Sequence, residues 1–169
     1  MISIGSAAPA WTATAYHKGE FTTLSNEDFK GKWVLIYWWP FDFSGICNSE
    51  ILGFQELESE FAAAGVELVG ASCDTKFAHQ KWFSDESAFP NGRPGHPVLA
   101  DNGHKMTQDF GFYLDAVGCA VRGTALIDPD GVVRSVGANF LNVARDPKDA
   151  LITARAFAKG GACALPARQ

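Results

Sequence analysis

The sequence predicts an α/β fold, with a central sheet flanked by helices. The run "WVLIYWW" at residues 33–39 is short, aromatic and β-branched and stops at Pro40, which is typical of a buried strand. A helical pattern follows it, and then comes a second apolar run, "VELVGAS", at residues 66–72. Strands that alternate with helices along a chain favour a sheet built from β-α-β units.

Three segments carry helical patterns. Residues 44–65 are predicted as one helix that ends at Gly65, because apolar residues recur every three or four positions along one face. These residues are Ile51, Phe54, Leu57 and Phe61. Residues 76–87 predict a shorter helix, and "DPKDALITARAFAKGG" predicts a third that begins at Asp146 and ends at Gly160.

The remaining patterned segments complete the predicted sheet. Residues 96–101, "HPVLAD", indicate the end of a strand, and residues 123–137 indicate a hairpin. The hairpin turn "DPDG" has the residue preferences of a type I turn. Without repeats or interior linkers, we expect one domain, residues 1–160, followed by a tail, residues 161–169.

Composition excludes several classes of function. The net charge of −5 argues against nucleic acid or an anionic membrane surface as a partner. No apolar run approaches the roughly 20 residues of a membrane-spanning helix. The first residues, "MISIGSAAPAW", lack a basic and an apolar signal region, so no signal peptide is expected.

The cysteines and histidines indicate a reducing compartment and no metal. The four cysteines form no C-x-x-C pair, and without a secretory signal they favour a cytoplasmic location. The four histidines never adopt the H-x-x-x-H or H-E-x-x-H spacing of metal sites. We therefore expect no metal site.

Cys47 stands in the first turn of the first predicted helix. Ser44 is a good N-cap, which places Cys47 where unpaired backbone N–H groups and the helix dipole favour an anion. Because the thiolate is the nucleophilic form, this position makes Cys47 a candidate nucleophile. A free cysteine is also commonly a small buried apolar residue. The position alone leaves both interpretations open.

Glu50 places a negative charge beside the Cys47 thiol. It follows Cys47 by one turn on the same face, where a second anion would oppose ionisation of the thiol. Such a carboxylate makes sense if a cation lies between the two groups. Arg122, at the entrance to a predicted strand, is the best-placed candidate, although its position also fits an ordinary surface arginine.

Several segments resemble the peroxiredoxin family, in order along nearly the whole chain. Pro40, Ser44 and Cys47 form P-x-x-x-S-x-x-C, which is similar to the family's active-site motif, and "CNSE" resembles its C-P-T-E. "VRGTALIDPDGVV" resembles the family's R-x-T-F-I-I-D-P-x-G block. "ASCDTKFAHQKW", "ARDPKDAL" and "CALPA" resemble the typical two-cysteine branch, especially the peroxiredoxins of the alkyl hydroperoxide reductase type.

The resemblance implies a thioredoxin-like fold and a peroxidase that needs no cofactor. Cys47 would be the peroxidatic cysteine, which attacks a peroxide oxygen and becomes a sulfenic acid. Pro40 would shield the site, and the Ser44 hydroxyl would hydrogen-bond thiolate and peroxide. Arg122 would donate N–H groups to the thiolate and the leaving oxygen.

The resemblance also implies two residues that support Cys47 and Arg122. Glu50 would orient Arg122, and Arg145, which matches the family's second arginine, would complete the ionic network.

Cys163, in the tail, matches the family's resolving cysteine. The resemblance implies that it attacks the sulfenic acid of the other subunit and forms an intersubunit Cys47–Cys163 disulfide. It thus implies a homodimer and allows a ring of five dimers, a decamer.

The resemblance implies hydrogen peroxide and organic hydroperoxides as substrates and a thiol electron donor. Relatives use a flavoprotein disulfide reductase, a thioredoxin or an AhpD-like protein, and the sequence does not select among them. An apolar rim is expected to favour organic hydroperoxides. Its members are Trp38, Trp39, Phe41 and Phe43.

Some positions depart from the family pattern. Asn48 replaces the proline after the peroxidatic cysteine, and Cys73 stands where the branch has Thr. Cys119 lies in the loop before Arg122, where it is either a bystander or a second resolving thiol. The alternative functions are a thioredoxin-type thiol–disulfide oxidoreductase, disfavoured by the lack of C-x-x-C, and a ring-forming scaffold or holdase chaperone.

Overall fold

The chain begins with a hairpin that the sequence patterns did not predict. The computed structural model describes residues 2–160, so the tail with Cys163 lies outside the described residues. Strand β1, Thr12–His17, pairs with β2, Glu20–Ser25, and a short 3₁₀ helix, Asn26–Phe29, follows. Most side chains of β2 are exposed, so its sequence lacks the apolar alternation of a half-buried strand.

The predicted β-α-β unit forms the centre of the molecule. Strand β3, Trp33–Trp38, pairs in parallel with β4, Val66–Ser72, which confirms both predicted strands. Two helices, α1, Gly45–Glu56, and α2, Glu58–Ala63, connect them. The single helix predicted over this stretch is therefore wrong.

The break lies at Leu57, whose N–H bonds the carbonyl of Phe54 only three residues back, at 3.1 Å. Leu57 is buried like its helical neighbours, so the apolar pattern continues through the break and hides it. Gly65 follows α2 with a φ of 74°, which confirms the predicted end.

The later elements lie where they were predicted, although one helix is shorter. Helix α3 spans Lys76–Phe83 and ends four residues before the predicted residue 87, and strand β5 spans Val98–Ala100. The hairpin consists of β8, Arg122–Ile127, and β9, Val133–Asn139. Helix α5, Pro147–Ala158, begins after Asp146, whose side chain accepts a hydrogen bond from the N–H of Lys148.

Three short elements between β5 and β8 were not predicted. They are α4, Lys105–Asp109, β6, Tyr113–Leu114, and β7, Cys119–Ala120. Each is too short to show a period in the sequence, and β6 and β7 pair only with each other. Within residues 2–160, no helix has the length and apolar character needed to cross a membrane.

The seven main strands form one mixed sheet in the order β2-β1-β5-β4-β3-β8-β9. Helices cover both faces, and the side chains of β3 alternate between two apolar clusters. Leu35 and Tyr37 belong to the cluster under α1, α2 and α5, whereas Ile36 and Trp38 belong to the opposite cluster. The predicted class, a mixed sheet flanked by helices, is confirmed.

Candidate active site

The loop between β3 and α1 is held by a buried polar cluster around Asp42. Its carboxylate accepts hydrogen bonds from Trp39 Nε1 at 2.9 Å and from His79 Nδ1 at 2.7 Å. The Asp42 N–H donates to Asp74 Oδ2 at 3.0 Å. Burial, together with the nearby Asp42 carboxylate, raises the pKa of Asp74 above its ordinary value. These contacts fix the loop that leads into the helix.

Phe43 completes the entry to α1 with an unusual backbone conformation. Its φ is 62°, in the left-handed region that a non-glycine residue rarely adopts. The exposed Phe43 ring packs on Trp82 with a centroid distance of 5.7 Å. This turn brings Ser44 to the N-cap position of α1 in an extended conformation.

Cys47 is the third residue of α1 and is fully buried. Ser44 occupies the N-cap position, as the sequence predicted, but its hydroxyl makes no capping hydrogen bond. The Ser44 carbonyl instead accepts the N–H of Asn48 at 2.8 Å. The thiol thus lies among the first N–H groups of the helix, where the helix dipole favours a negative charge.

Arg122, the first residue of β8, lies against this thiol. Its Nη1 donates to Cys47 Sγ at 3.5 Å and also to Glu50 Oε2. Its Nε and Nη2 both donate to the Leu141 carbonyl, at 3.0 and 2.8 Å. The structure therefore places a cation between the thiol and the carboxylate, where the spacing of Cys47 and Glu50 called for one.

Arg145 holds the other oxygen of Glu50. Its backbone N–H and its Nε donate to Glu50 Oε1 at 2.8 and 3.0 Å. Its Nη1 donates to the carbonyl of Gly123 and, at 3.3 Å, to Thr124 Oγ1. Burial lowers the pKa of Arg145, and the Glu50 carboxylate partly offsets that effect.

The charges of this cluster are unequal. Arg122 and Arg145 bring two positive charges to one carboxylate, Glu50, which pairs with both. The Cys47 sulfur, which contacts Arg122, therefore lies beside a net positive charge. Nearby positive charge stabilises an anion, which is the nucleophilic form of a cysteine.

The expected apolar rim is wrong in two of its four residues. Trp38 and Trp39 are fully buried and belong to the two core clusters, because β3 is covered on both faces. Phe41 and Phe43 are exposed, on the same loop as Pro40, which is itself buried. The loop thus presents an apolar surface made of two phenylalanines.

The two other described thiols differ from Cys47 in their surroundings. Burial raises the pKa of Cys73 to about 11, and its thiol contacts Thr107 Oγ1 at 3.6 Å. Burial, followed by the nearby charge of Cys47, raises the pKa of Cys119. Both shifts disfavour the thiolate, which a nucleophilic or resolving cysteine needs. All three described cysteines are free of disulfides.

Some contributors to the site have no clear sequence signal. The Leu141 carbonyl, which fixes Arg122, is a backbone group and leaves no trace in the residue type. His79 pairs with Asp42 across two elements, and nothing in the local spacing of either residue indicates the other. Among residues 2–160, no three His, Cys, Asp or Glu side chains come together as candidate metal ligands.

Fold and site together define a thioredoxin-like protein with one buried thiol held against an ionic cluster at a helix start, and comparisons with known proteins agree. The model of the AhpC/TSA family matches residues 4–136. A putative peroxiredoxin in the rubredoxin operon of Clostridium pasteurianum is 33% identical over 166 residues, covering 96% of this chain and 93% of the relative. The chain belongs to the AhpC/TSA family of peroxiredoxins.

Two further comparisons extend this similarity. The mitochondrial thioredoxin-dependent peroxide reductase of Mus musculus is 37% identical over 153 residues, covering 89% of this chain. The chain spans only 59% of that relative's length. The crystal structure of Enterococcus faecalis AhpC superposes with a TM-score of 0.90 at 28% identity, covering 98% of this chain and 100% of that one.

Proposed function

We propose that this protein is a thiol peroxidase that reduces hydrogen peroxide and organic hydroperoxides through Cys47. The observation that carries the proposal is the Arg122 guanidinium, which contacts both Cys47 Sγ and Glu50 at the start of α1. An arginine in this position stabilises the attacking thiolate and can also donate to the oxygen that develops charge as the O–O bond breaks.

The first step is a nucleophilic displacement on the peroxide. The Cys47 thiolate attacks the terminal oxygen, the O–O bond breaks, and the electron pair leaves with the other oxygen, which takes a proton and departs as water or an alcohol. The sulfur is oxidised to a sulfenic acid while the peroxide is reduced. Pro40 would shield the thiol from solvent. The Ser44 hydroxyl makes no capping hydrogen bond to the helix, so it would be available to hydrogen-bond the peroxide.

The second step is proposed to use Cys163 of the partner subunit in a homodimer. Its thiol displaces water from the sulfenic acid and forms the Cys47–Cys163 disulfide, which a thiol donor then reduces. The name of the mouse relative supports thioredoxin as that donor, with a flavoprotein disulfide reductase or an AhpD-like protein as the other candidates. A cytoplasmic location is part of this proposal, because four cysteines with no C-x-x-C pair fit a reducing compartment. A decamer of five dimers is part of the same proposal.

Non-reducing electrophoresis and peptide mass analysis after one equivalent of hydrogen peroxide test this function. Wild type should form a covalent dimer linked Cys47–Cys163, and both Cys47→Ser and Cys163→Ser should remain monomeric on the gel. Cys73→Ser is the matched control and should dimerise like wild type, because its thiol lies outside the cluster of Arg122 and Glu50.

Two outcomes would contradict the proposal. A dimer that persists in Cys163→Ser would assign resolution to another thiol, with Cys119 the next candidate. A wild-type protein whose Cys47 stays reduced would remove the peroxidase function itself.

A further inference from the structure

A hydrogen-bond chain connects the half-buried Glu58 to the hydroxyl of Tyr37. Tyr37 Oη lies 2.8 Å from His96 Nε2, and His96 Nδ1 lies 2.5 Å from Glu58 Oε1. The same carboxylate oxygen accepts the backbone N–H groups of Gly95 and His96 at 2.7 and 3.1 Å. Tyr37 is fully buried and His96 nearly so.

The donors and acceptors of this chain fit one arrangement. The Glu58 carboxylate can only accept, so His96 Nδ1 carries a hydrogen. Among the described residues, Tyr37 Oη has no other hydrogen-bond partner, so its hydroxyl hydrogen finds an acceptor when it points to His96 Nε2. Every polar atom is then satisfied, and each bond polarises the next toward the phenol oxygen.

The Tyr37 ring lies under the guanidinium of Arg145. Arg145 Cζ is 5.6 Å from the Tyr37 ring centroid and 5.7 Å from that of Phe54, and these two rings stack at 3.9 Å. Arg145 Nη2 is buried and has no hydrogen-bond acceptor among the described residues. The aromatic faces are thus the remaining stabilisation of that side of the guanidinium.

The fold also reserves space for the phenol. Gly70 on β4 faces Tyr37, and a Cβ at this glycine would lie 3.2 Å from Tyr37 Oη and 2.8 Å from the Trp39 ring. The ring of Tyr37 is therefore held from one side by His96 and confined from another by the bare backbone of β4.

We propose that Tyr37, His96 and Glu58 are positioning residues that fix Arg145, and through Glu50 fix Arg122 at Cys47. The hydroxyl sets the lateral position of the ring, and its donation to His96 makes the ring richer in electrons, which strengthens its attraction for the guanidinium. The inference depends on the proposed role of Cys47 as the peroxide-reacting thiol.

Tyr37→Phe tests this most cleanly, because it removes one oxygen and keeps the ring. We expect the single-turnover rate constant for hydrogen peroxide to fall about threefold to tenfold, and the pH midpoint of that rate constant to rise. Tyr16→Phe is the matched control, since Tyr16 lies in the same apolar cluster without contact to Arg145. It should keep both the rate constant and the midpoint of wild type.

Glu58→Gln provides a second variant, at a half-buried position. The substitution keeps the shape of the side chain and removes its charge. We therefore expect a smaller fall in the rate constant and a smaller rise in its pH midpoint than for Tyr37→Phe. Glu60→Gln on the same helix is its control, because Glu60 pairs with Arg155 at 2.5 Å and has no link to Tyr37.

A double-mutant cycle separates positioning from general packing. If Tyr37 acts through Arg145, Tyr37→Phe should have no further effect in an Arg145→Lys background, whereas independent effects would multiply. Multiplying effects, or a Tyr37→Phe protein with the wild-type rate and midpoint, would overturn the inference. Loss of the proposed function is distinguishable, because wild type itself would then react with peroxide no faster than Cys47→Ser.

Discussion

At the scale of single residues, the site depends on how one guanidinium is shared. Arg122 Nη1 contacts Cys47 and Glu50, while Nε and Nη2 hold the Leu141 carbonyl. Because the guanidinium is planar and forked, it can donate to the thiol, the carboxylate and the carbonyl at the same time. A lysine would bring the same charge as a single point, and it could not hold the carbonyl and the thiol together.

Arg122→Lys is therefore expected to slow the reaction with hydrogen peroxide about 100-fold, the usual cost of a lost oxyanion donor. The rate constant would be measured by rapid mixing under single-turnover conditions, with circular dichroism to verify folding. Arg155→Lys is the matched control, because that arginine forms a partly exposed ion pair with Glu60. A rate for Arg122→Lys within twofold of wild type would show that charge alone suffices.

At the scale of elements, the hairpin β8–β9 carries Arg122 and is closed by a buried carboxylate. Asp128 Oδ1 accepts the N–H groups of Asp130 and Val132, both at 2.9 Å, and Oδ2 accepts Arg134 Nε at 2.6 Å. Burial alone would raise the pKa of Asp128, but these hydrogen bonds outweigh it and leave the pKa below its ordinary value.

The lowered pKa has a defined consequence for stability. The ionised carboxylate stabilises the folded state at pH values above its unfolded pKa, and this contribution is lost as the pH falls through the folded pKa. Asp128→Asn should accordingly be less stable than wild type at neutral pH, and the difference should shrink in acid.

Urea unfolding at a series of pH values measures this difference. Asp130→Asn, at the exposed neighbouring turn position, is the control and should show no comparable dependence on pH. A difference for Asp128→Asn that stays constant between neutral pH and acid would contradict the assignment.

At the scale of the whole molecule, the fold brings distant segments of the chain to one point. The loop after β3 and the start of α1 supply the thiol, β8 supplies Arg122, and the connection from β9 to α5 supplies Leu141 and Arg145. Strand β3 pairs with β4 on one side and with β8 on the other. The pairing with β8 brings Arg122, the first residue of β8, close to the loop that follows β3.

Much of this arrangement could be predicted from sequence, for identifiable reasons. The central strands are apolar runs, and the like charges expected at Cys47 and Glu50 indicated Arg122 as a candidate cation between them, while leaving it open as a surface arginine. The break at Leu57 could not be predicted, because burial of that residue continues the helical pattern. The Leu141 carbonyl and the link from Glu58 to Arg145 depend on tertiary contacts that no local spacing records.

Trapping of the sulfenic acid in the Cys163→Ser protein shows directly whether Cys47 is the thiol that peroxide oxidises. Hydrogen peroxide would be added below one equivalent in the presence of dimedone, and the label on each cysteine would be quantified by mass spectrometry. We expect label on Cys47 in proportion to peroxide, with Cys73 and Cys119 unlabelled. Label spread evenly over the three thiols, or peroxide left unconsumed, would contradict this expectation.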